Sequence, residues 1–138
     1  MSDIHVAAAI IKGPEGLLAA KRADVESEAA WEFPGGKIEP GEDAERAIRR
    51  EIFEELGCKL QVVQFYDTFE SDLGNDRLVM EVFVCTLGPD EEPKALEHSE
   101  LRWIQRDDLL SVQWLAADHQ LALSIGVFWD QFFEEEHL

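Results

Sequence analysis

The chain has 138 residues, 46% of them hydrophobic, with four Trp and eight Phe, which excludes a disordered segment and suffices for the core of one domain over residues 1–138. Thirty acidic against twelve basic residues leave a net charge of −18, a field that repels nucleic acid and anionic membranes. No apolar run reaches the ~20 residues needed to cross a bilayer. The opening MSDIHVAAAIIKG lacks a basic region and enters a strand directly, so no signal peptide is read and a cytoplasmic location is predicted. Cys58 and Cys85 both stand in apolar surroundings and predict buried thiols, not a disulfide framework or a metal cluster.

Taken in order, Ile4 to Lys12 reads as a buried strand, Gly13-Pro14-Glu15-Gly16 as a turn and Leu17 to Arg22 as the hairpin partner. Ala23 to Ala30 is polar and predicts a loop over the mouth of a site, followed by a short strand from Trp31 to Phe33 and a glycine loop at Gly35-Gly36. Asp43 is placed to cap a helix whose buried stripe is Ala44, Ala47, Ile48, Ile52 and Leu56, with Gly57 as the residue that ends it. Lys59 to Phe69 carries the Val, Phe and Tyr of a strand, Leu73-Gly74-Asn75-Asp76 turns it back, and Arg77 to Leu87 alternates as its partner. Gly88 to Pro93 is an acidic loop, Leu101 to Ile104 a last strand, and Ala116 to Phe133 a helix with Glu134-Glu135-Glu136 as its solvated end. Strands with two helices interspersed, and neither repeat nor linker, predict an α/β domain.

The chemistry concentrates in the first helix. Glu51, Glu54 and Glu55 fall on one face at ~100° per residue. Like charges at that spacing repel, and a hard divalent cation ligated by oxygens would offset the repulsion. The plainer alternative is a solvated acidic face. Arg50 stands beside the row and can pair with Glu42 or Glu54, a structural salt bridge. Gly35-Gly36 and Pro40-Gly41 allow a tight loop with backbone close to a ligand.

The spacing sharpens this reading. From Gly36 the chain runs through five residues to Glu42, seven more to Arg50-Glu51-Ile52, one to Glu54-Glu55 and one to Gly57. This resembles the signature of the Nudix hydrolases at every fixed position. The phrase Trp31-Glu32-Phe33-Pro34-Gly35-Gly36-Lys37 resembles their MutT-like branch, the nucleoside triphosphate pyrophosphohydrolases. The resemblance covers most of the chain, most strongly Arg22 to Cys58. It implies a Nudix fold, a mixed β-sheet sandwiched between α-helices (α/β/α). The implied reaction takes a nucleoside or deoxynucleoside triphosphate and water to the monophosphate and pyrophosphate, by attack at the β-phosphorus.

The resemblance also implies Mg2+ or Mn2+ held by Glu51, Glu54, Glu55 and Glu97, with Gly36 of the glycine loop among the metal and substrate positions. Arg50 joins the three helix glutamates as the catalytic set, one glutamate accepting a proton from water. Glu97, six residues before Trp103, is otherwise a surface carboxylate. Arg22 and Lys37 are matched to the phosphates, or else are surface cations, and a locally basic pocket is expected to receive the nucleotide. Phe33 is carried with the substrate-binding positions, although it reads as core.

Asp118, fifteen residues after Trp103, stands where MutT-like enzymes hold an Asn or Asp against the base; alternatively it is a charge at a helix N-terminus. Ionised, it only accepts hydrogen bonds, which favours guanine, oxidised guanine or cytosine and so 8-oxo-dGTP or (d)CTP. His98 and His119 are isolated and read as polar surface residues. Hydrolysis of ADP-ribose or a dinucleoside polyphosphate is the competing enzyme reading, and a non-catalytic nucleotide sensor the competing class. Against the first, no proline falls between Pro40 and Pro89 and the only tyrosine is Tyr66; against the second, every signature glutamate is kept. There is no G-x-x-x-x-G-K-[ST], H-E-x-x-H or G-x-S-x-G. The partner is a small-molecule nucleotide, with the oligomeric state open between monomer and homodimer.

Overall fold

A continuous apolar run needs cover on both faces, and the strand β1 (Ser2–Gly13) obtains it at the centre of a mixed sheet. The computed structural model describes residues 2–133. β1 pairs in parallel with β6 (Asp76–Leu87) from Ser2↔Asp76 to Lys12↔Thr86, and β6 pairs antiparallel with the edge strand β5 (Leu60–Asp72). On its other side β1 is shared. The hairpin partner β2 (Gly16–Arg22) pairs with it only at Lys12↔Leu17 and Gly13↔Gly16. Beyond that point β2 diverges to pair with β3 (Trp31–Glu32) and β7 (His98–Ile104).

The opening is filled by β4 (Gly35–Lys37), which pairs with Val6, Ala7 and Ala8, while Ala9 N–H donates to Pro34 O at 2.9 Å. The expected glycine loop is therefore a short strand on β1. Its backbone groups find sheet partners there, as buried amides must.

Side chains alternate across β1 and supply two cores. Ala8 and Ile10 face Leu121, Ala122 and Ile125 of the helix α2 (Ala116–Val127), with Leu109 and Trp114. Ala7, Ala9 and Ile11 face Ala47, Ile48, Ile52 and Leu56 of the helix α1 (Ala44–Leu56), with both cysteines buried. The sheet thus lies between α1 and α2, the sandwich expected from the sequence. Among the described residues, no helix is long and apolar enough to cross a membrane.

The C-terminal half departs from expectation. The helix predicted over 116–133 breaks at Phe128 (φ −105°, ψ 18°), and α3 (Trp129–Phe133) follows. Gly126 and the β-branched Val127 are weak helix formers. The turn lets Phe132 join the core while Lys12 Nζ donates to Phe132 O at 2.8 Å. A 3-10 helix at Arg106–Ser111 was not foreseen, and β7 begins at His98, three residues early. The run Glu134-Glu135-Glu136 lies outside the described residues.

Candidate active site

Helix α1 is delimited as its sequence predicts. Asp43 Oδ1 accepts from Arg46 N–H at 2.8 Å, and Gly57 takes the left-handed conformation (φ 68°) as its N–H donates to Phe53 O. The buried stripe holds Ala47, Ile48, Ile52 and Leu56, with Ala44 packed against it. It also holds Glu55, only 6% exposed, because position 55 lies three residues beyond Ile52 on that face. The last carbonyls of a helix lack intrahelical donors. Here Lys94 N–H donates to Leu56 O at 3.0 Å and Leu96 N–H to Glu55 O at 3.1 Å. Those two bonds bring the segment that ends in Glu97 and His98 against the acidic helix.

α1, β4, the start of α2 and strands of the sheet line an open cavity of about 630 Å³. Of the residues singled out from sequence, Arg22, Phe33, Gly36, Lys37, Glu51, Glu55, Glu97 and Asp118 line it. Glu54 and Arg50 do not. Glu54 is half-exposed and accepts from Arg50 Nη1 at 3.2 Å. Arg50 is the tie of the region. Its Nε and Nη2 donate to the two oxygens of Glu42 at 2.8 and 2.9 Å, its Nη1 to Glu51 Oε1 at 2.8 Å, and its Nη2 also to Lys37 O at 3.0 Å. The pairing with Glu42 and Glu54 read from the sequence is present, and the guanidinium holds Glu42 down at about 2. Gly36 is required by close approach, since a Cβ there would overlap the Glu51 carboxylate.

The expected basic pocket is not found. Asp24, Glu32, Glu51, Glu55, Glu97 and Asp118 line the cavity against two cations, Arg22 and Lys37. Arg22 moreover donates to both oxygens of Asp24, at 2.8 and 2.6 Å. The acidic wall raises Glu55 to about 9, through burial first and then the charges of Glu51, Glu32 and Glu97, against an opposing bond from the Gly35 backbone. Among the described residues, none hydrogen-bonds the buried Oε2 of Glu55. An unpartnered buried oxygen, on a wall of carboxylates a methyl's width from Gly36, fits a hard divalent cation.

Two residues are corrected or added. His98, read as a surface residue, is buried, its Nε2 at 2.9 Å from Glu32 Oε2 and 3.5 Å from Glu55 Oε1. Glu32 was quoted in the motif phrase but given no role. One ligand atom from each of Glu32, Glu55 and His98 lies within 4.8 Å of the others. No periodicity flags this group. The only local signal was a histidine next to the proposed metal-ligating Glu97.

Leu115 N–H donates to Trp31 O at 2.8 Å and seats the start of α2 beside β3. Asp118 is buried in the first turn of α2, where Oδ1 accepts from Phe33 N–H at 3.0 Å. It does not cap its own helix; Leu115 holds the N-cap position. Burial pushes its carboxyl up to about 7, so near neutral pH a neutral, donating form accompanies the ionised acceptor. The Phe33 ring is core, stacked on Trp114 with centroids 4.5 Å apart. His119 is exposed, as expected.

A glycine strand set against an acidic helix, both opening on one cavity in a mixed α/β/α sandwich, frames the candidate site. Residues 1–123 match the NUDIX domain, and the chain belongs to that family. It is 31% identical over 121 residues to the CTP pyrophosphohydrolase of Escherichia coli (strain K12), covering 86% of this chain and 87% of that one. It is 30% identical over 120 residues to the 8-oxo-dGTP diphosphatase of Haemophilus influenzae, covering 86% and 88%. The solution structure of the E. coli ORF135 protein superposes with a TM-score of 0.81 at 30% identity, covering 95% of this chain and 94% of that one.

Proposed function

We propose that this chain hydrolyses a nucleoside triphosphate, with 8-oxo-dGTP and (d)CTP as the leading substrates, to the monophosphate and pyrophosphate. The observation that carries the reading is the convergence of Glu51 and Glu55 with Gly35 and Gly36 on one cavity that Asp118 also lines. The relatives named for CTP and 8-oxo-dGTP chemistry support it. Glu51, Glu55 and Glu97, with Glu54 from the open side and the Gly36 backbone, would hold Mg2+ or Mn2+, which when bound neutralises phosphate charge and acidifies a water.

The protein's own groups do the rest. Arg50 fixes the orientation of Glu51 through its bond at 2.8 Å. Arg22 and Lys37 border the cavity and stabilise charge on the phosphates as water adds at the β-phosphorus and the monophosphate departs. Arg22 first exchanges Asp24 for phosphate, which costs little because both partners of that pair are exposed. One carboxylate of the acidic wall accepts the proton of the attacking water. Asp118, near half-neutral at pH 7, both offers and accepts a hydrogen bond, and so suits a base that presents both.

The test is turnover in 18O-labelled water with 8-oxo-dGTP, dGTP, dCTP, CTP and ADP-ribose, with Mg2+ or Mn2+. The expected products are monophosphate and pyrophosphate, with the label in pyrophosphate, as attack at the β-phosphorus requires. Label in the monophosphate, or turnover of ADP-ribose alone, would refute the assignment.

A further inference from the structure

Three side chains far apart in sequence meet on the cavity wall: Glu32 in β3, Glu55 in α1 and His98 at the start of β7. His98 Nε2 stands 2.9 Å from Glu32 Oε2 and 3.5 Å from Glu55 Oε1. Two ligands bound to one ion at ~2.1 Å lie about 3.0 Å apart along an octahedral edge and about 3.4 Å along a tetrahedral one. The observed separations bracket those values. The side chains of His98 and Glu55 are only 4% and 8% exposed, so bulk solvent screens the group little.

The nearby guanidinium of Arg22 gives it no hydrogen bond. Arg22 approaches Glu32 at 3.8 Å, from the other carboxylate oxygen, and directs its hydrogen bonds to Asp24. Glu55 Oε1 faces His98, whereas Oε2 is buried and, among the described residues, unpartnered. A carboxylate disposed in this way can bridge two ions, as in sites with paired metals ~3.5–4 Å apart.

We propose that Glu32, His98 and Oε1 of Glu55 form a second cation site, which takes a divalent transition-metal ion that accepts a nitrogen ligand, such as Mn2+. Mg2+ is excluded from it by preference for oxygen donors and retained waters, while imidazole with two carboxylates suits Mn2+ and Zn2+. The site deepens the proposed role of Glu55 in holding the catalytic cation, and rests on that role. It gives Mn2+ a place of its own in the cavity, beside the helix site that takes Mg2+ or Mn2+. The nitrogen ligand also gives the bound ion a spectroscopic mark that a carboxylate site lacks.

The test is pulsed electron paramagnetic resonance of Mn2+ bound to the full chain without nucleotide, together with calorimetric titration. Wild-type protein should show 14N modulation from a coordinated imidazole, and His98→Gln should abolish it. That variant should weaken the same Mn2+ by ~10- to 100-fold and leave Mg2+ binding unchanged within ~3-fold. Glu51→Gln, which disables the signature-helix site, should keep the 14N signal. Near-ultraviolet dichroism checks folding, and Glu32→Gln, expected to weaken Mn2+ likewise, stands in if His98→Gln misfolds. Mn2+ bound without 14N modulation would overturn the second site and leave the proposed hydrolase standing. So would modulation that survives in His98→Gln, which would come from another histidine. Failure to bind Mn2+ at all would overturn both.

Discussion

A methyl group on Gly36 would meet the carboxylate of Glu51, itself held by Arg50 at 2.8 Å. Gly36→Ala should therefore displace a proposed ligand by about 1 Å and lower kcat ~10²-fold, with the melting temperature little changed; steady-state assays beside thermal melts measure both. Near-normal kcat would mean that Glu51 does not act from this position. Asp118 affords a second residue-level prediction. Burial raises its pKa from 3.8 to about 7, so the neutral carboxyl favours the fold below 3.8 and that contribution is lost as pH rises through about 7. In chelator, wild-type stability should decline over that interval more steeply than that of Asp118→Asn, by at most ~1.4 kcal/mol per pH unit. Parallel urea titrations between pH 4 and 8 would show the difference, and superimposable slopes would place Asp118 as ionised in the folded state. The acidity of Asp118 was illegible in the sequence, because desolvation depends on what packs over the carboxyl and not on its neighbours along the chain.

At the scale of elements, α1 separates stability from activity. Asp43 caps the helix from an exposed position away from the cavity, so Asp43→Ala should cost ~1 kcal/mol in urea denaturation and leave kcat unaltered. Arg50→Lys should behave otherwise. A lysine keeps the charge but not the fork that reaches both oxygens of Glu42, Glu51 and the Lys37 carbonyl together. Loss of the Glu51 and Lys37 contacts at once should lower kcat by ~10-fold or more, given ~1.5–3 kcal/mol per charged hydrogen bond. An Arg50→Lys enzyme with full kcat would reduce the network to a stabilising device. The ends and buried face of α1 were legible because capping residues and a period near 3.6 are local properties. The break at Phe128 was not, since apolar residues cover α2 nearly all round and no stripe marks where it must turn.

For the whole molecule, an acidic cavity on a chain of net charge −18 repels a bare nucleotide and attracts a cation. Cation binding relieves repulsion that the folded state concentrates, so Mg2+ should stabilise the protein by mass action. At one hundred times its dissociation constant the gain is about 2.7 kcal/mol, which is several degrees in melting temperature for a domain of this size. Melts in chelator and across a Mg2+ series would measure it. Curves that coincide, in protein shown by calorimetry to bind Mg2+, would mean that the unfolded chain binds the ion equally well.

Cap, stripe, turn and the spacing of Glu51, Glu54 and Glu55 are written within some twenty consecutive residues, and local sequence determined them by itself. The same holds for most of the strands, whose apolar runs and alternation need only near neighbours, but not for β4, which reads as a glycine loop in the sequence. The meeting of Glu32, Glu55 and His98 was decided by tertiary structure alone. Glu32 reaches the site through β3 pairing with β2, and His98 through the bonds that Lys94 and Leu96 make to the end of α1. Tertiary structure also turned the expected basic pocket acidic. Sequence spacing measures distance along a chain, whereas charge and pKa in a cavity depend on distance through space, and folding the sheet sets that distance.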